Sequence, residues 1–212
     1  VNILFVHGWG GSPELWREVS LLLPGNHTFY DRGYFGTPAH TIRTAGFDAI
    51  VLHSMAPLFL HRNEIPAHIP VALINGFDHF CGTTSATGRA VNRTLDRMVQ
   101  QCELDADATL ASFYTLGRCP VPPLPAQKNV PALQADLNLL RNHQDIAGML
   151  NTNPVLAIFS QNDVIAPAFS RNGLERNASK VIFADSASHF LPLTHARWLA
   201  ETLIAWMNPL HF

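Results

Sequence analysis

Ala49-Ile50-Val51-Leu52-His53-Ser54-Met55-Ala56-Pro57 is the stretch on which the fold turns. Ala49–Leu52 is a short apolar run with the β-branched pair Ile50 and Val51, the pattern of a buried strand. Pro57 suits a first helical turn, where its missing N–H costs nothing. A serine between such a strand and such a helix stands on a sharp, strained turn, usually written G-x-S-x-G. Small residues two before and two after the serine let strand and helix approach closely. Ala56 is small; Leu52 departs from the pattern and has to find room. A helix opening over Pro57–His61 would direct its N-terminus at the serine oxygen.

Working outward, the same rhythm repeats. Val1–Val6 reads as a strand ending in the glycine-rich turn His7-Gly8-Trp9-Gly10-Gly11. Ser12 offers an N-cap and Pro13 a first helical residue, with Leu15, Trp16, Val19, Leu22 and Leu23 following at helical spacing. His27–Tyr30, Pro70–Ile74, Val155–Phe159 and Lys180–Ala184 read as further strands. Ala196–Met207 reads as a closing helix with Trp198, Leu199, Leu203 and Trp206 on its buried side. Strands alternating with helices imply βαβ units and a mostly parallel central sheet flanked by helices.

The rhythm breaks between Cys81 and Leu150. Three helix-like stretches occur there, near Arg89–Gln101, Asp107–Leu116 and Leu133–Leu150, with a proline cluster between the last two. This predicts a core of residues 1–80 and 151–212, with residues 81–150 inserted after the fourth strand as a helical cap. The plainer alternative makes two of these helices ordinary crossovers.

Residues just past the carboxyl ends of parallel strands converge on one rim. Ser54 lies there, Asp163 lies past the fifth strand and His189 past the sixth. A nucleophile, acid and base in the order Ser…Asp…His fit a catalytic triad. Asp185 is a rival acid, but it is too near His189 in sequence to come from the preceding strand's tip. Acyl transfer also needs two donors aimed at the developing oxyanion. The backbone N–H groups of Met55, after the serine, and of Trp9, in the glycine-rich turn, are the expected pair. The turn is not G-x-G-x-x-G, and no ribose-binding acid follows it, which disfavours a dinucleotide fold.

His7–Trp16, Asp31–Gly36, His53-Ser54-Met55 and the block from Asn153 to Trp206 together resemble α/β-hydrolases. The His-Gly-Trp-Gly turn followed by a tryptophan-bearing helix is most similar to the pimeloyl-[acyl-carrier protein] methyl ester esterases of biotin synthesis. Asp31-Arg32-Gly33-Tyr34-Phe35-Gly36 is similar to their D-x-P-G-F-G segment, with Gly33 in place of proline. The resemblance implies an α/β-hydrolase fold, hydrolysis of a methyl ester carried on acyl carrier protein, and no cofactor. It also implies that Phe113 or Tyr114 lines the acyl channel, in a stretch similar to a lid helix. His53 stands where that family commonly has tryptophan before the nucleophile, and is counted with Phe113 and Tyr114 as a substrate contact. Independently, Arg89, Arg93 and Arg97 recur every four residues, which stacks them on one helix face. Such a basic stripe could seat an acidic carrier protein; a solvated face is the alternative.

Composition sets the outer bounds. The 212 residues are 47% hydrophobic and 14% charged, with a formal net charge of −2. That is a globular composition without the electrostatic footprint of a nucleic-acid binder. Three cysteines without a C-x-x-C pair argue against a disulfide framework or structural zinc site. Eleven histidines occur without H-E-x-x-H spacing, so no metal is expected. The absence of a signal-like start or long apolar run points to a cytoplasmic protein, read as a monomer. Two other functions stay open: a general short-chain carboxylesterase or thioesterase with no carrier partner, and a binding protein on the same fold.

Overall fold

The computed structural model describes residues 1–38, 42–60, 65–81, 85–120, 125–141, 146 and 150–207. Six strands form one parallel sheet: β1 (Asn2–Val6), β2 (Asn26–Tyr30), β3 (Ala49–His53), β4 (Val71–Ile74), β5 (Val155–Ser160) and β6 (Lys180–Ala184). Their order is β2-β1-β3-β4-β5-β6. Of the four interior strands, β3, β4 and β5 are buried throughout, as near-continuous apolar runs require, and β1 is buried beyond Asn2. The edge strands β2 and β6 are more exposed, and β2 alternates in exposure along its length.

The chain leaves β1 in one direction to form β2, then returns to place β3 on β1's other side. The carboxyl ends of β1 and β3 therefore flank a topological switch point, where open α/β sheets bind ligands. Gly8 and Ser54 meet at that crevice. A Cβ built on Gly8 would lie 2.7 Å from the Cβ of Ser54, so only glycine lets the two turns approach this closely.

Helices cover the sheet. α1 (Arg17–Ser20) follows a 3-10 turn at Pro13–Trp16. Ser12 has the extended backbone of a cap, but its side chain makes no cap bond, a correction to the expected N-cap. Between β4 and β5 come α2 (Ser85–Leu104), α3 (Ala106–Leu116) and α4 (Val130–Leu139), with α2 packed on both others. Asp105 caps α3 by accepting from the Ala108 N–H, and Asn129 caps α4 by accepting from Ala132. After β5 and β6 come α5 (Asn172–Asn177), α6 (Leu191–Thr194) and α7 (Ala196–Met207). Leu199, Leu203 and Trp206 are buried along α7. No helix among the described residues is long and apolar enough to cross a membrane.

Two expected helices are shorter. The run after Ser54 is a single 3-10 turn, Ala56–Phe59, with Leu60 already extended; His61 lies outside the described residues. Leu58-Phe59-Leu60 lacks a 3.6-residue period, and Pro66 and Pro70 limit what can follow. This also accounts for Leu52, which is fully buried with no long helix following to crowd it. Within the stretch expected from Leu133 to Leu150, α4 ends at Leu139, where Arg141 N–H bonds back to Asn138 O and tightens the end; Ile146 is again helical, and residues 142–145 and 147–149 lie outside the described residues.

Candidate active site

Ser54 follows the last residue of β3 and has φ +56, left-handed backbone that a serine rarely adopts. Its N–H still bonds to Ile74 O at 2.9 Å, so the ladder to β4 holds the turn from below. The strain points the hydroxyl off the sheet rim. There Ser54 Oγ lies 2.9 Å from His189 Nε2. His189 Nδ1 lies 2.7 Å from Asp163 Oδ2. A carboxylate only accepts, so Nδ1–H donates to Asp163, and Nε2 is left to accept from the Ser54 hydroxyl.

The acid is held as firmly as the serine. The other oxygen of Asp163, Oδ1, accepts from the N–H groups of Ile165 at 2.8 Å and Ala166 at 3.3 Å, an Asx turn just past β5. Burial works against the carboxylate's charge. The neighbouring His189, its hydrogen bond and the two N–H groups outweigh burial and hold the Asp163 carboxyl below its ordinary range. All three side chains are buried, and Ser54 lines a cavity.

His189 is fixed through its main chain as well. Its N–H donates to Gly117 O, at the end of α3, at 2.9 Å. Its carbonyl accepts from Asn75 Nδ2 at 2.9 Å and His53 Nε2 at 2.8 Å. Asn75 is buried and left-handed at φ +47, and its amide also spans to Ser160 and Ser188. Asn-Gly after a strand is a turn signal and carries no hint of this brace.

The glycine-rich turn after β1 faces Ser54. Among the described residues, the backbone N–H groups of Trp9 and Met55 have no protein acceptor, and both residues line the cavity. They are free to donate to an oxygen placed near Ser54 Oγ. Two bonds from the insertion secure the turn: Tyr114 Oη donates to Gly10 O, and Trp9 Nε1 donates to Leu133 O at 2.9 Å. Gly10, at φ +63, has Leu110 packed where a Cβ would stand.

The cavity measures about 660 Å³ and opens between the sheet rim and the insertion. Helix α2 contributes Leu95 and Met98, α3 contributes Phe113 and Leu116, and the rim contributes Phe77 and Ile165. Among the described residues, Arg97 is its one charged lining residue. Of the three residues expected to contact substrate, Phe113 lines the cavity. Tyr114 and His53 do not, a correction with a clear cause. Tyr114 turns its hydroxyl to Gly10, and His53 turns beneath the rim toward His189. Arg89, Arg93 and Arg97 are exposed on α2, and among the described residues none pairs with a carboxylate. Nearby Asp96 and Asp107 are engaged by Arg141 and Lys128 instead.

A second polar cluster, unread in the sequence, ties the insertion to the core. Arg32, between β2 and β3, donates from Nε and Nη2 to the two oxygens of Asp136 on α4, each at 2.8 Å. Tyr34 Oη donates to Asp136 Oδ2 at 2.7 Å. Burial, and then the Asp136 charge, push the Tyr34 hydroxyl well above its usual pKa, so it remains a donor.

This architecture recurs in solved structures. The chain is similar to a bromoperoxidase from Bacillus anthracis (TM-score 0.76, 16% identity, covering 98% of this chain and 91% of that one). It is similar to an esterase from Exiguobacterium antarcticum (TM-score 0.75, 15% identity, 98% and 91%). It is also similar to an enol-lactonase from Burkholderia xenovorans LB400 (TM-score 0.62, 14% identity, 98% and 91%). No protein-family model and no curated protein sequence matches the chain. The sheet order and these likenesses define an α/β-hydrolase fold with a helical insertion after the fourth strand.

Proposed function

We propose that the protein is a serine carboxylesterase acting on esters with an apolar acyl chain. The observation that carries this is the hydrogen-bonded run Ser54–His189–Asp163 beneath an apolar cavity. Ser54 Oγ attacks the ester carbonyl while His189 Nε2 takes its proton. Asp163 holds the Nδ1–H tautomer and stabilises the imidazolium. The N–H groups of Trp9 and Met55 receive the oxyanion. Collapse of the tetrahedral intermediate passes the proton from Nε2 to the leaving alcohol and leaves an acyl-serine. Water, deprotonated by the same imidazole, releases the acid and restores Ser54.

In this reading, residues 81–150 act as the cap, and α2 and α3 supply the acyl wall. The finer assignment is the methyl ester of pimeloyl-acyl carrier protein. It is supported by the exposed Arg89, Arg93 and Arg97 stripe, whose last member reaches the cavity. An acidic carrier would dock there and feed its acyl chain inward. Hydrolysis of p-nitrophenyl butyrate and octanoate, with Ser54→Ala as control, tests the esterase. Activity surviving in Ser54→Ala rejects it. Rescue of a biotin auxotroph lacking its pimeloyl ester hydrolase tests the finer reading. Charge reversal at Arg93 and Arg97 should weaken turnover of the carrier-bound ester and spare a short free one. Equal loss on both removes the docking role.

A further inference from the structure

We propose that His53 is a positioning residue that clamps His189 from behind, so that the dipeptide His53-Ser54 grips the same histidine at two points. Ser54 Oγ meets the imidazole at Nε2, and His53 Nε2–H donates to the main-chain carbonyl of that residue at 2.8 Å. In a regular strand, adjacent side chains point to opposite faces. The left-handed φ of Ser54 breaks that alternation and lets both converge on one residue. The two rings lie 4.9 Å apart between centroids, tilted by 53°.

The carbonyl acceptor dictates the tautomer of His53. Nε2 must carry the proton, which leaves Nδ1 as a bare acceptor, and this buried atom has no hydrogen-bond partner. An unpaired buried polar atom destabilises a fold. An apolar residue of similar size would avoid that cost and still fill the space. The one feature only a donor supplies is the bond to His189 O. Asn75 supplies a second N–H to the same oxygen, and Gly117 accepts from the other side of the residue. The base is thus braced on both flanks, and of these main-chain bonds the one from His53 comes from the residue next to the nucleophile. Burial drives the His53 pKa down to about 3, with His189 next in effect, so the ring stays a neutral donor throughout the working range.

The inference rests on the esterase reading and is tested separately from it. Full kinetics on p-nitrophenyl octanoate are compared for wild type, His53→Phe, His53→Leu and His53→Gln, with thermal unfolding of each. Removing the donor should lower kcat by about 10- to 100-fold, the cost of a base displaced by a fraction of an ångström. KM should stay within about twofold, since His53 is not in the cavity wall. Gln places an amide N–H near the position of Nε2 and should restore kcat to within about threefold of wild type. The Phe or Leu variant should melt no lower than wild type. Wild-type kcat in a folded Phe or Leu variant overturns the proposal, as does Gln no faster than either. If Ser54→Ala itself retains activity, the esterase reading fails instead.

Discussion

The rim of the sheet and the helical insertion wall the same cavity by different means. Ser54, Asp163 and His189 follow β3, β5 and β6 directly, and the parallel ladder delivers them to one place. The insertion is tied to the core through long-range bonds: Arg32 to Asp136, Tyr114 to Gly10, Trp9 to Leu133 and His189 to Gly117. Backbone topology positions the chemistry, and scattered side chains position its cover. The insertion is therefore bonded to His189 and to the glycine-rich turn rather than merely packed over them. Changes at the rim should act on kcat, and changes in the insertion on stability first.

The sharpest way to break that contrast is Asp163→Asn. With the geometry kept and the tautomer wrong, kcat should fall by about 10⁴-fold while thermal unfolding shifts by only a few degrees, read by steady-state assay and calorimetry. A comparable loss of stability with modest loss of kcat would reverse the assignment of regions.

Next in size is the pH dependence of stability from His53. Its folded pKa of about 3 lies below the ordinary histidine value, so between the two the unfolded chain binds the extra proton. Stability from this group is complete above about pH 6.5 and declines as pH falls toward 3, with a limiting slope of about 1.4 kcal/mol per pH unit. His53→Phe should flatten the urea-midpoint profile between pH 6.5 and 4.5. Parallel profiles would show that the ring is not held neutral.

In the insertion, Asp136→Ala should destabilise by about 2–3 kcal/mol. Asp136 is buried, but Arg32 keeps one-third of its side chain in water, which discounts the loss. Urea unfolding would measure it. Tyr114→Phe is the mildest, at about 1 kcal/mol, with a few-fold drop in kcat as the Trp9 turn loosens. An Asp136→Ala that halts catalysis while leaving stability intact would erase the distinction between the two regions.

The same contrast explains what could be read from residue order. Lys180–Ala184 and Ala196–Met207 have the bounds their periodicity predicts, because apolar repeats are local. Ser54, Asp163 and His189 were legible because strand ends in a parallel sheet share a rim. Arg32 and Asp136 stand 104 residues apart, and no spacing rule links them. The role of Tyr114 was misread as a channel wall, since a hydroxyl's direction depends on which carbonyl lies across the packing. A helix opening over Pro57–His61 is what Pro57 predicts, and the run is a 3-10 turn because that proline signals a start and says nothing about length.

Active-site labelling tests the central claim most directly. Incubated with an organophosphate such as paraoxon and digested for mass spectrometry, the protein should carry one diethylphosphoryl group per chain, on Ser54. The label should disappear in Ser54→Ala and slow greatly in His189→Ala. A label on another residue, or an unmodified Ser54 in a protein that still hydrolyses esters, would contradict the account.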